Sequence, residues 1–139
     1  MLEVFLIKIS INTKRKNVIV FLEQLHSILS DPSFDIDNIM ILISKKKSPE
    51  KEMFSTPYTI LDLDYETSDI VERLKELIVQ EYSETLYDRD DDNPPLLFIF
   101  GKDINCKKVY IKLKIKDVKK KVLCLSFHYA EHVMNFPYL

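Results

Sequence analysis

A single glycine, Gly101, serves the whole chain of 139 residues. No Gly-x-Gly-x-x-Gly fingerprint or Walker loop can be built from it, so the usual backbone cradles for dinucleotides and nucleoside triphosphates are excluded. Tight turns fall instead to Asn, Asp and Lys. Cysteine is almost as scarce: Cys106 and Cys124 stand far apart with no Cys-x-x-Cys spacing, which indicates neither a zinc site nor a disulfide scaffold and fits a reducing cytoplasm. No metal or other cofactor is expected. Long apolar runs are missing too, so no transmembrane segment and no membrane partner are expected. The apolar start, Met1 to Ile11, is broken by Glu3 and Lys8 and lacks a small-residue cleavage site, and reads as a strand rather than a leader.

What is present is enough apolar material, 46% of residues, to bury the core of one domain spanning residues 1–139. The net charge of -2 hides a segregation of signs. From Asp62 to Asp92 acids outnumber bases, whereas Lys102 to Lys121 holds nine lysines against Asp103 and Asp117. A polyanion would prefer the second segment, with Lys102, Lys107, Lys108 and Lys114 as candidate phosphate contacts. The plainer alternative is that these lysines solvate an exposed sheet face.

Val18, Phe21, Leu22, Leu25, Ile28 and Leu29 recur at helical spacing, and Asp31-Pro32 ends the pattern, so a helix is predicted over Lys16 to Ser30. His26 sits beside that stripe and reads as structural. Ile39 to Ile43 is short and β-branched and reads as a strand, followed by a polar loop from Lys45 to Phe54 whose lysines read first as a solvated loop and alternatively as a second phosphate contact. Thr67 or Ser68 can cap a second helix carrying Ile70, Val71, Leu74, Leu77 and Ile78 and running to about Gln80. Asp88 to Pro95 is too acidic and proline-bearing for regular structure. Leu96 to Phe100 is uniformly apolar, as in a central strand covered on both faces. Val109 to Lys116 and Val122 to His128 follow as strands. The order implies an α+β domain, with helices packed on one face of a twisted, mainly antiparallel sheet.

In Val109 to Lys116 the alternation is strict: Val109, Ile111, Leu113 and Ile115 point inward, and Tyr110, Lys112, Lys114 and Lys116 point the other way. In the next strand Leu123, Leu125 and Phe127 are expected inward, leaving Ser126 and His128 on the polar face. A hairpin around Asp117 to Lys121 that keeps both apolar sets together pairs Ile111 with Phe127, Leu113 with Leu125 and Ile115 with Leu123. The same register sets Tyr110 opposite His128 and Lys112 opposite Ser126, with facing Cβ atoms roughly 5 Å apart. A phenol, an amine and an imidazole so placed suit RNA cleavage without a metal: a base takes the proton of a 2′-hydroxyl, and an acid protonates the leaving 5′-oxygen. His132 lies beyond the hairpin. Phe136, Pro137 and Tyr138 read as a clamp docking back on the core.

Tyr58 to Tyr65, Glu81 to Thr85, Phe100 to Asn105, Val109 to Lys114 and Ser126-Phe127-His128 together resemble the MqsR family of type II toxins, over a span from about Val18 to Tyr138. The resemblance implies a RelE-like fold, ribosome-independent and metal-independent cleavage of mRNA, and neutralisation by a cognate MqsA-like antitoxin with zinc-binding and helix-turn-helix domains. It places the family's tyrosine at Tyr110 and its C-terminal basic residue at His128. A lysine that smaller members carry after the second helix is replaced here by Ser83 or Glu84, so Glu84, with Ser126, is an accessory candidate. Cys106 stands where a turn glycine is expected, which strains the hairpin or marks a sequence change. Leu96 to Phe100 contains no glutamine to make the family's contact, so cleavage specificity should differ. Two rival readings stand beside it: a non-catalytic RNA- or protein-binding module using the same basic sheet, and a prophage accessory protein whose Asp88 to Asp92 loop docks a basic partner.

Overall fold

The computed structural model describes residues 10–43, 47–87, 96–116 and 121–139. The expected strand over residues 1–9, Lys45 and Lys46 of the lysine run, the acidic stretch 88–95 and most of the turn at 117–120 lie outside them.

A two-residue strand β1 (Ser10–Ile11) leads into α1 (Arg15–Ser30). The helix buries Val18, Phe21, Leu22, Leu25, Ile28 and Leu29 along one stripe, and Asp31, extended before Pro32, ends it. A single turn, α2 (Ile36–Ile39), runs into β2 (Met40–Leu42). Pro49–Phe54 forms a 3-10 turn before α3 (Thr56–Leu63), whose first turn is capped by Ser55 accepting from the Tyr58 N–H. The polar loop expected over Lys45 to Phe54 is therefore partly helical, and α3 is an element the periodicity did not reveal. The helix α4 (Thr67–Lys75) starts one residue earlier than a Thr67 cap would require: Glu66 is the cap position, and the Asp69 carboxylate accepts its N–H at 2.8 Å. Its end at Lys75, not Gln80, follows from a break before a second 3-10 turn at Val79–Glu81.

The strands β3 (Tyr82–Tyr87), β4 (Leu96–Ile104), β5 (Lys107–Lys116) and β6 (Lys121–Tyr129) complete a six-stranded sheet of order β1-β3-β4-β5-β6-β2. All neighbours are antiparallel except β2 and β6. The fold is thus α+β with a mixed, mainly antiparallel sheet. One face carries the main core, where Phe21 of α1 stacks on Phe98 with centroids 4.0 Å apart and Ile70, Val71 and Leu74 of α4 close the layer. The other face holds a smaller cluster of Leu86, Leu97 and Ile99, flanked by Tyr110, Leu125 and Met134. Strand β4 supplies residues to both clusters, as its unbroken apolar run implies.

The β5–β6 register corrects the expected one in its lower half. Tyr110 pairs with His128, Ile111 with Phe127 and Lys112 with Ser126, but Leu113 then pairs with Cys124 and Ile115 with Val122. Leu125 is the extra residue of a β-bulge, and past it the alternation of β6 inverts. Val122 and Cys124, not Leu123 and Leu125, join Phe127 in the main core. Four consecutive apolar residues, Val122 to Leu125, permit either facing, so alternation alone could not choose between them.

Candidate functional site

Gly101 of β4, Tyr110 of β5 and His128 of β6 are register partners in one row across the open face of the sheet, and Glu84, Ile99, Lys112 and Ser126 form the next row. Above these rows lies a cavity of about 1000 Å³, lined by Tyr110, Lys112, Ser126 and His128 from the hairpin, by Glu84 from β3 and by Lys47. Ser10, Ile11 and Asn12 line its β1 side, and the C-terminal segment forms a further wall. That segment leaves β6 at Ala130, whose N–H donates to the Lys108 carbonyl, and runs back across the strands. Lys108 Nζ sits 4.7 Å over the Phe136 ring, and Ser83 Oγ donates to the Asn135 carbonyl at 2.7 Å. Tyr138 then stacks on Tyr82 with centroids 5.7 Å apart, its hydroxyl donating to the Thr13 carbonyl. Phe136 and Tyr138 thus dock on the body of the protein, which turns the tail into a strap.

Gly101 is what lets the strap lie down. A Cβ there would meet Phe136 Cζ at 2.7 Å and Met134 Sδ at 2.9 Å. An isolated glycine inside a strand marks a close approach of other atoms to the backbone, but the strand expected from the sequence ended at Phe100, so Gly101 did not carry that signal.

The Tyr110 and His128 rings stack with centroids 5.0 Å apart and planes 13° apart. His128 Nδ1 lies 2.9 Å from the Tyr129 carbonyl. A carbonyl only accepts, so Nδ1 carries the proton and Nε2 is the lone-pair nitrogen of the neutral ring. Burial holds the imidazole below its ordinary 6.5; the bond to the Tyr129 carbonyl works the other way, and Lys47 and Lys112 add to the lowering. Burial, then the negative charge of Glu84, pushes the Tyr110 phenol up to about 12. At neutral pH the pair is an unprotonated imidazole beside a protonated phenol, one acceptor and one donor in contact.

Two side-chain bonds hold the end of β6 that carries His128. Where β2 stops pairing, Thr56 Oγ1 and Thr59 Oγ1 of α3 accept the N–H groups of Phe127 and Tyr129, at 3.1 and 3.0 Å. The backbone on both sides of His128 is therefore pinned to a helix, which fixes the carbonyl that sets its tautomer.

The candidate lysines scatter. Lys108 and Lys112 share the Tyr110 face. Lys102 pairs across from buried Val109, on the helix-covered face, with Nζ 3.3 Å from Glu81 and 3.7 Å from Glu76. Lys107 also turns from the cavity, toward Asp62 at 3.7 Å and over the Tyr129 ring. Lys114 is on the Tyr110 face but only 5% exposed. Lys102 and Lys107 thus face away from the pair, because alternation sends odd and even positions of a strand to opposite faces, and Lys114, on the pair's own face, is withdrawn by burial. Of the lysine run, Lys47 lines the cavity. His26 bonds the Leu74 carbonyl and is a helix-packing residue, and His132 is exposed beside Glu131. Among the described residues no three His, Cys, Asp or Glu side chains gather in a way that could hold a metal ion, and no helix is long and apolar enough to cross a membrane.

Compared with known proteins, the chain matches no family model, no curated protein and no solved structure.

Proposed function

We propose that this chain is the toxin of a type II toxin-antitoxin pair, an endoribonuclease that cleaves mRNA without ribosome or metal on a RelE-like frame. The observation that carries the reading is the stacked Tyr110–His128 pair on the floor of a cavity edged by Lys47 and Lys112.

In the proposed reaction His128 Nε2 takes the proton of the ribose 2′-hydroxyl, and O2′ attacks the adjacent phosphorus. Lys112 offsets charge building on the non-bridging oxygens. The P–O5′ bond breaks, and the Tyr110 phenol protonates the departing oxygen, a far stronger base than phenolate. The products are a 2′,3′-cyclic phosphate and a 5′-hydroxyl. The imidazolium then loses its proton to water and the phenolate takes one from water, which restores the neutral imidazole and the phenol. The similarity of the Val109 to Lys114 and Ser126 to His128 blocks to the MqsR family supports the same two residues, and with them an MqsA-like antitoxin as cognate partner.

The test is expression in cells. The parent chain should arrest growth and deplete mRNA, and Tyr110→Phe and His128→Ala should relieve both while folding normally. Equal toxicity in all three would replace the nuclease with an RNA- or protein-binding module.

A further inference from the structure

The β3 strand carries a bulge between Tyr82 and Glu84. Tyr82 and Thr85 are buried on the helix side, bonded hydroxyl to hydroxyl at 2.6 Å, so the extra residue turns Ser83 and Glu84 together toward the cavity. Ser10 of β1 donates to Glu84 Oε2 at 2.7 Å and fixes the carboxylate's direction. In the register Glu84 and Lys112 are separated only by Ile99, which puts their Cα atoms two strand spacings, roughly 10 Å, apart. Lys47 and Lys112 thus edge the cavity toward β5–β6, where the lining Glu131 is paired with Lys51 at 3.0 Å, and a carboxylate fixed by Ser10 stands at the β3 side.

A carboxylate in a cavity for a polyanion repels phosphate, so it must face another part of the nucleotide. It is also an acceptor only. Among base edges it is satisfied by an exocyclic amine, which adenine, cytosine and guanine carry. Uracil instead turns two carbonyl oxygens outward around its one imino group. We infer that Glu84 reads the base beside the scissile phosphate, selecting an edge that bears an amine and rejecting uracil. This rests on the nuclease reading for the placement of phosphate, but its test does not need cleavage.

Cytosine and uracil isolate the effect, since the rings match in size and differ in the amine. Fluorescein-labelled 2′-O-methyl tetracytidylate and tetrauridylate, which cannot be cut, are titrated against the parent chain, Glu84→Gln and Ser10→Ala, with thermal melts to establish folding. The parent should bind the cytidine probe about tenfold tighter, and Glu84→Gln, which can donate as well as accept, should bring the two within about twofold. Ser10→Ala should fall between. An unchanged cytidine-to-uridine ratio in folded Glu84→Gln overturns the inference, as does failure of the parent to bind either probe. The unmodified RNA versions separate the two claims. Discrimination without cutting sinks the nuclease reading alone, and cutting with a ratio indifferent to Glu84 sinks this one alone.

Discussion

His128 owes its readiness as a base to where its neighbours lie. Its Nδ1 proton is committed to the Tyr129 carbonyl, and burial with the charges of Lys47 and Lys112 keeps the ring neutral. The base form is present above the imidazole's lowered pKa and lost as pH falls through it, so the acid limb of kcat/KM should lie below pH 6.5. Removing a cation eases protonation: in Lys47→Ala the limb should move up toward 6.5, measured as a pH-rate profile on an RNA oligonucleotide. A limb above 6.5 in the parent, or one that does not move, would contradict this assignment. The partnership of Tyr110 with His128 was legible in the sequence, because alternation in Val109 to Lys116 fixed one strand's facing and Phe127 anchored the other. The strap's seat at Gly101 was legible only as a lone glycine without a stated neighbour.

At the scale of elements, the parts that periodicity misses are those that depart from simple burial. The helix α3 turns Thr56 and Thr59 inward, both 3% exposed or less, because their hydroxyls serve the edge of β6. Hydrophobic spacing cannot register a helix whose buried face is polar. The β3 strand was hidden in the same way by its bulge, and the β6 bulge by four apolar residues in a row. The Asn105–Cys106 turn between β4 and β5 is a case where sequence expectation and structure agree on a cost. Both residues sit at positive φ, 50° and 65°, in the two-residue hairpin that favours Asn-Gly. Cys106 is exposed and makes this turn against its side chain's preference. Cys106→Gly should raise unfolding stability in urea by about 0.5 kcal/mol, after the greater freedom glycine gives the unfolded chain is set against the relief of strain. A loss of stability would show the thiol side chain contributing a contact that outweighs the strain.

Across the whole molecule, the helices occupy one face of the sheet and leave the other for a strap that walls the cavity. The strap is held at Lys108, Gly101, Ser83 and Tyr82, so it is a fixed wall whose position depends on one residue lacking a side chain. Gly101→Val should displace Phe136 and Met134 and speed limited proteolysis within residues 131–137, with the core strands still protected. Unchanged cleavage would mean the ring and thioether shift aside at little cost. The α+β class and the two-faced β4 strand were readable because both follow from apolar pattern, whereas the strap's path depends on contacts among residues far apart in the chain. The most direct measurement of the central claim is cleavage of a defined single-stranded RNA by the purified protein in excess chelator, with product ends analysed. The expected result is 2′,3′-cyclic phosphate and 5′-hydroxyl ends from the parent, with a loss of at least about a hundredfold in folded His128→Ala and Tyr110→Phe. Intact RNA with the parent, or full cleavage by both variants, would contradict it.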